Sequence, residues 1–399
     1  MPFPDQTRPQ SRPDRSPQKP GIVLCLTYYL PNISGLTLST RALARHLAAL
    51  GYPVTVVAGR HPASALRDEV AGNIRVVRSW APFRLGKALV MPAYAADLWR
   101  VLEGAAVVNV HLPNPDAATV AIVAKLRGKR LMVSYACSMS RAGLANRAMR
   151  AVAAVPHLVA GLLADKIQVV STDYAAQSVF CRLFRRKVVT SPPPLGLPLF
   201  ADETPPAPAR LPRQPSPDQP FRIGHVGRIA RQKSLGVLLD ALPAIARAIG
   251  PDFVIELAGP SDRVIGENHW REILKRITDL GGKVVFHGTL TGRALAKFYA
   301  GLDVLVLTST DRSESFGLVQ VEAMLRGTPV VTSDRPGMRL PIRETGMGTL
   351  FTPGDPMALA AALADVLHNG PARVATTGDI LARFGDEATS RPYVEALRL

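Results

Sequence analysis

Short apolar runs separated by longer stretches of helical periodicity recur along most of this chain. In the first half the runs lie near 21–26, 54–58, 74–78, 107–111, 130–134, 166–170 and 188–190. Between them, stretches such as 37–50 and 117–126 repeat apolar residues every three to four positions and predict helices. Apolar strands alternating with helices are the pattern of parallel α/β structure. The alternation stops over the Pro-rich residues 201–220 and resumes with strands near 221–226, 253–258, 283–287, 304–308 and 329–332. The pattern therefore predicts a tail (1–20), a first α/β unit (21–200), a linker (201–220), a second α/β unit (221–375) and a closing helical segment (376–399). Two such units around a linker imply a ligand cleft between the carboxyl ends of their strands.

Composition narrows the class. The chain has 399 residues, 47% hydrophobic and 20% charged, as in an ordinary water-soluble protein. Cys25, Cys137 and Cys181 are odd in number and scattered, so neither a disulfide framework nor a zinc site is expected, and a reducing cytosol fits. Residues 1–20 are rich in Pro, Arg and Gln without an apolar core, and read as a disordered tail rather than a signal peptide. No apolar run reaches the roughly 18 residues needed to span a bilayer.

The charge is unevenly placed. Of the net +17, residues 1–200 hold 25 Lys and Arg against 9 Asp and Glu, whereas 201–399 hold 23 against 22. Such asymmetry points to an anionic partner for the first half: nucleic acid, an acidic substrate or a membrane surface. No stacking-aromatic motif supports nucleic acid. The segment from Arg141 to Lys166 mixes Arg141, Arg147 and Arg150 with apolar residues, which suits interfacial docking or a helix covering its own core. Its apolar part, 152–164, is too short to cross a membrane and is expected to break at Pro156 and His157. The charge in the same half favours membrane contact, hence a cytoplasmic protein peripheral on the inner face of the plasma membrane.

The most specific chemistry lies at Glu314-Ser-Phe-Gly-Leu-Val-Gln-Val-Glu322. The spacing places one acid before a helix and the other about two turns inside it. The amides of Phe316, Gly317 and Leu318 are then expected in the first turn, facing any anion placed there. Acids for hydroxyl groups beside donors for phosphate suit a phosphate-activated sugar. A second segment, Ile223-Gly-His-Val-Gly-Arg-Ile-Ala-Arg-Gln-Lys, reads as strand, glycine turn and basic residues. Gly227 permits a close backbone approach, Arg228 can fork onto phosphate oxygens, and Lys233 adds a compact charge.

These strings closely resemble the E-x7-E element and basic loop of retaining glycosyltransferases with the GT-B fold, the glycosyl transferases group 1 or family 4-like enzymes. The resemblance covers about residues 21–399, specifically in the second half and diffusely in the first. It implies two Rossmann-like doubly wound domains facing each other across a cleft, with the last helix crossing back onto the first domain. It also implies metal-independent, hexosyltransferase-like transfer from a nucleoside-diphosphate sugar to a hydroxyl acceptor, for which lipid-linked or cell-envelope glycans would fit. No cofactor is implied beyond the sugar nucleotide, and no metal, since no Asp-x-Asp occurs.

By the same resemblance Arg228 and Lys233 hold the departing diphosphate, Glu314 the donor-sugar hydroxyls and Glu322 the nucleotide ribose. Thr289 and Leu290, just past Gly288, meet the nucleobase, and Gly35 approaches phosphate and acceptor. His111, at a strand's carboxyl end, stands near the sugar and the incoming hydroxyl. The chain departs from the pattern at three places: Ser34-Gly35 replaces a glycine pair, Tyr135-Ala136 replaces Tyr-His, and Arg335-Pro-Gly-Met-Arg-Leu-Pro carries Arg339. Two other readings stay open. A nucleotide-sugar epimerase would need an acid and base at the sugar ring and no acceptor. A non-catalytic sugar- or nucleotide-binding subunit would tolerate loss of Arg228 or Glu314, both of which are present. A dinucleotide oxidoreductase is disfavoured, because no Gly-x-Gly-x-x-Gly follows the first strand.

Overall fold

A computed structural model describes residues 19–85, 88–139, 144–196, 213–261 and 269–398; the side chains of Leu85, 144–150 and 396–398 are outside the description. The tail 1–18, Arg141, the side chains of Arg147 and Arg150, and most of the Pro-rich connection thus fall outside it.

The first sheet has eight strands: β1 (Gly21–Cys25), β2 (Val54–Gly59), β3 (Asp68–Ala71), β4 (Ile74–Ser79), β7 (Ala105–Leu112), β8 (Arg130–Tyr135), β9 (Lys166–Val169) and β10 (Val188–Thr190). Their order is β10-β9-β8-β7-β1-β2-β4-β3, parallel except for β3 on the edge. A separate hairpin joins β5 (Phe83–Leu85) to β6 (Ala88–Val90). This lobe carries α1 (Gly35–Ala49), α2 (Tyr94–Val101), α3 (Ala117–Leu126), α4 (Leu144–Leu163), α5 (Thr172–Gln177) and α6 (Val179–Leu183).

The second sheet is formed by β11 (Phe221–Val226), β12 (Phe253–Ala258), β13 (Val284–Phe286), β14 (Val304–Leu307), β15 (Val330–Ser333) and β16 (Gly348–Phe351). Its order, β13-β12-β11-β14-β15-β16, is that of a doubly wound nucleotide-binding sheet. Its helices are α7 (Leu235–Ile249), α8 (His269–Asp279), α9 (Gly292–Gly301), α10 (Leu318–Met324), α11 (Leu340–Thr345) and α12 (Pro356–Asn369). In each lobe the strand order reverses beside the first strand, and there the loops part to leave a crevice: β1/β7 in one, β11/β14 in the other. Two doubly wound lobes facing each other across a cleft make this the GT-B fold.

Local chemistry explains where the elements begin. α1 starts at Gly35, two residues before the apolar periodicity, because Ser34 and Thr37 form a reciprocal cap. Thr37 N–H donates to Ser34 Oγ at 3.2 Å and Ser34 N–H to Thr37 Oγ1 at 2.8 Å. α4 runs unbroken through Pro156, contrary to the break expected there. β3, the hairpin and β16 are additional to the strands read from the sequence, being short, exposed or glycine-bearing. The end of the connection is tied to the second lobe, since Arg213 grips Asp303 at 2.7 Å and Pro220 O at 2.7 Å.

The closing segment is two helices rather than one. α13 (Thr377–Phe384) buries Ile380 and Phe384 with Phe316 and Met324 in the second lobe. After Gly385, α14 (Asp386–Arg398) returns to the first lobe, where Tyr393 joins the core of Ile22, Leu24 and Leu43. Its hydroxyl is 2.9 Å from Ser134 Oγ, which accepts from Asn109 Nδ2 at 3.0 Å.

Candidate active site

The carboxyl ends of both sheets open onto one cleft of about 2570 Å³. Every residue to which the sequence gave a catalytic or donor-binding role lines it: His111 and Gly35 from the first lobe; Gly227, Arg228, Lys233, Thr289, Leu290, Glu314, Phe316, Gly317, Leu318 and Glu322 from the second.

β11 ends at Val226, and Gly227 then takes φ 154° with its N–H on Ala258 O at 2.9 Å. A Cβ at Gly227 would lie 3.2 Å from Lys233 Cε, so the glycine leaves room for the lysine to lie along the loop. A turn of 3-10 helix, Arg231–Lys233, leads to Ser234, which holds a left-handed conformation (φ 49°). That conformation is strained for a residue with a Cβ and persists only where neighbours hold it. Here Ser234 Oγ sits 2.7 Å from Thr310 Oγ1 and accepts from Thr310 N–H at 3.2 Å, while Thr308 Oγ1 donates to Lys233 O at 3.0 Å. The loops after β11 and β14 are thus stitched together at the crevice.

The stitching presents charge. Lys233 Nζ meets Glu314 Oε2 at 2.5 Å, with only 11% and 12% of the side chains exposed. The half-buried Arg228 guanidinium makes no hydrogen bond or ion pair among the described residues. Beneath them His225 is buried with Nδ1 3.0 Å from Val306 O; burial, then the Lys233 charge, lowers its pKa to about 4. It adds no positive charge at neutral pH.

The glutamate element differs from its sequence reading in one respect. α10 begins at Leu318, because Gly317 is left-handed (φ 75°) and caps it. The amides of Phe316 and Gly317 therefore precede the helix, and Glu322 lies little more than one turn inside it. The Phe316 ring is 2% exposed and packs on Phe384 at 5.7 Å, so only its backbone faces the cleft. Glu322 is 7% exposed and accepts from Tyr299 OH at 2.7 Å; burial raises its pKa, and that hydrogen bond pulls it partly back. Nothing in the sequence marks Tyr299 as its partner.

On the facing lobe, His111 is the penultimate residue of β7, at the β1/β7 crevice. It is 5% exposed, its Nε2 has no hydrogen-bond partner, and burial lowers its pKa to about 4, so the ring is neutral. Nearby Asn114 Oδ1 accepts from Asp116 N–H at 2.9 Å, and Asn114 N–H donates to His157 Nε2 at 3.2 Å. Burial lowers the His157 pKa to about 4 and raises that of Asp116 to about 6. Asn114 and His157 also line the cleft; the sequence offered His157 only as a helix interruption and gave neither a place at the site, because their 43-residue separation hides the contact.

The lobes touch at the cleft's edge. Ser315 Oγ, next to Glu314, donates to Ala136 O at 2.6 Å, and Tyr174 OH donates to Arg312 O at 2.8 Å while accepting from Ser138 N–H at 2.8 Å. Gly337 N–H donates to Asp173 Oδ1 at 3.2 Å, and Arg339 Nε lies 3.7 Å from Asp173 Oδ2. Two of the family departures, Ala136 and Arg339, thus lie at this inter-lobe contact. Gly35 is the other close approach: a Cβ there would stand 3.9 Å from Leu318 Cδ1. Among the described residues no three His, Cys, Asp or Glu side chains gather as metal ligands.

Comparison with known proteins agrees with this architecture lobe by lobe. Residues 209–379 match the family model described as glycosyl transferases group 1, and residues 34–194 match the glycosyl transferase 4-like domain. Each match covers under half of the chain; together with the GT-B fold they support a glycosyltransferase. It is 34% identical over 181 residues to sulfoquinovosyl transferase SQD2 of Arabidopsis thaliana, covering 44% of this chain and 31% of that one. It is 32% identical over 182 residues to D-inositol 3-phosphate glycosyltransferase of Corynebacterium urealyticum, covering 44% and 42%. The matches span less than half the length of these relatives. Among solved structures, Anabaena HepE in complex with UDP-glucose superposes with a TM-score of 0.71 at 19% identity, over 95% of this chain and 99% of that one.

Proposed function

We propose that the protein transfers a glycosyl group from a nucleoside-diphosphate sugar to a hydroxyl acceptor with retention of anomeric configuration. The observation that carries the reading is the convergence of Arg228, Lys233 and Glu314 at the β11/β14 crevice, opposite His111. The UDP-glucose in the HepE complex supports a nucleotide sugar as donor.

In this mechanism Arg228 and Lys233 meet the charge that grows on the diphosphate as the sugar–phosphate bond breaks. Fixed cations in a closing cleft stabilise a leaving group far better than they could in water. They supply this charge without a metal. Lys233 engages Oε2 of Glu314, so Oε1 is left to orient donor-sugar hydroxyls. Glu322 offers its second oxygen to the ribose, and Thr289 and Leu290 border the base. Neutral His111 can accept a hydrogen bond from the incoming hydroxyl through Nε2. Closure of the lobes aligns acceptor with donor and excludes water that would hydrolyse the sugar nucleotide. A lipid-linked or cell-envelope hydroxyl fits the basic first lobe.

The test is thermal protection by a panel of nucleotide sugars, wild type beside Arg228→Ala, followed by turnover with and without a chelator. A raised melting temperature with at least one sugar nucleotide is expected for wild type, lost in the variant, with turnover indifferent to chelation. No protection of wild type by any donor would sink the donor site.

A further inference from the structure

The outward face of α4 does not suit a helix that only covers its own sheet. Inward it buries Ala153 and Ala160. Outward, Val152, Val155, Leu158 and Leu162 recur at helical spacing with exposures of 76%, 66%, 41% and 60%. From Ala151 to Ala164 there is no charged residue, and His157 is the single polar one. A solvated face would carry polar residues here.

The neighbouring helix α6 extends this face. A Cβ on Gly161 would lie 2.2 Å from the Phe184 ring and 2.8 Å from that of Phe180, so α4 and α6 meet at a residue without a side chain. Lys187 Nζ closes the junction on Leu162 O at 2.6 Å. Val179 and Leu183 are left 64% and 62% exposed on the other side of α6. Arg182, Arg185 and Arg186 of the same segment are exposed. No helix among the described residues is long and apolar enough to cross a membrane.

We propose that the α4–α6 face docks on an anionic lipid bilayer, its apolar side chains entering the headgroup boundary and its arginines meeting lipid phosphates. Charge complementarity selects this occupant. A second copy pairing through the same patch would set like arginines against one another, and the excess of 25 basic over 9 acidic residues in 1–200 has the same sign. Val152, Pro156 and His157 of this helix also line the cleft, so docking sets the cleft mouth at the lipid surface. This deepens the proposed function and rests on it for its consequence, delivery of the acceptor hydroxyl from the membrane; docking itself is read without any donor.

The experiment is flotation of the full chain with phosphatidylglycerol-containing or pure phosphatidylcholine vesicles at low and high salt. Wild type is compared with Val155→Glu/Leu162→Glu and with Arg182→Glu/Arg185→Glu/Arg186→Glu. Binding to anionic vesicles about tenfold tighter than to neutral ones, and weakened about tenfold by high salt, is expected. Both variants lose it, while the apolar variant keeps the wild-type melting temperature. Absent binding of wild type, or undiminished binding of the apolar variant, overturns the proposal. So does vesicle-free dimerisation that the apolar double substitution abolishes. Docking without protection by any sugar nucleotide would leave this inference standing and sink the glycosyltransfer reading instead.

Discussion

Lys233 Nζ lies 2.5 Å from Glu314 Oε2, two residues 81 positions apart joined where β11 and β14 diverge. The pair is nearly buried, so removing one partner strands the other's charge. Full burial makes such a loss cost about 3–5 kcal/mol; partial exposure reduces this to roughly 2 kcal/mol. Lys233→Ala is expected to lose that much stability, measured by denaturant unfolding, together with donor protection. Glu314→Gln keeps an acceptor for the lysine, so it should lose less than about 1 kcal/mol while turnover falls by roughly two orders of magnitude. Equal stability losses in both variants would show that the carboxylate's charge, and not a retained hydrogen-bond acceptor, is what holds the pair.

Tyr299 and Glu322 make a second buried pair, with the hydroxyl donating at 2.7 Å. Tyr299→Phe leaves a buried carboxylate without its donor, at a cost of about 1–3 kcal/mol. It also raises further a Glu322 pKa that burial already raises. An acid whose folded pKa lies above its unfolded one loses stability as pH rises, so the penalty should be larger at pH 8 than at pH 5. A pH-independent penalty in unfolding titrations would contradict this.

Gly337 holds the inter-lobe edge beside the glutamate loop. Its φ is 80°, and a Cβ would lie 2.0 Å from Ser315 O. Gly337→Ala must therefore displace Ser315, whose hydroxyl reaches Ala136 O and whose neighbour is Glu314. A loss of about 1–3 kcal/mol and at least tenfold in turnover is expected. Wild-type kinetics in this variant would show that the edge does not position Glu314.

Two buried histidines and the half-buried His157 set the acid response. Burial lowers His111, His157 and His225 to about 4, below the usual value of 6.5. A base depressed in the folded state contributes stability that is complete above pH 6.5 and is lost as pH falls toward 4. Asp116, raised to about 6, acts in the opposite direction over the same range. Unfolding at pH 5 should thus take up between about one and two protons, measurable by calorimetry in buffers of different ionisation enthalpy. His111→Gln should lower that uptake by about one. Proton release on unfolding at pH 5 would contradict these assignments.

Much of the architecture was legible in the chain. Apolar runs such as Val-Val-Asn-Val-His and Val-Leu-Val-Leu mark β7 and β14 because strands buried on both faces need continuous apolar sequence. The glutamate element and the Gly227–Lys233 loop were legible as well, since phosphate chemistry demands particular residues at close spacing. The edge strand β3 was not, because Asp68–Ala71 is exposed throughout and pairs antiparallel at the sheet's rim.

The amino-acid sequence by itself determined the two α/β units, their Pro-rich division, the basic first half and the local cations and acids. Those features depend on periodicity, composition and neighbours a few residues apart. Only the tertiary structure decided that Lys233 pairs with Glu314, that Tyr299 holds Glu322, and that Asp173 reaches Gly337. It likewise decided that the apolar face of α4 points outward, a choice that the 3.6-residue period leaves open. The reason is physical: periodicity says which residues share a face, and only packing says what that face meets.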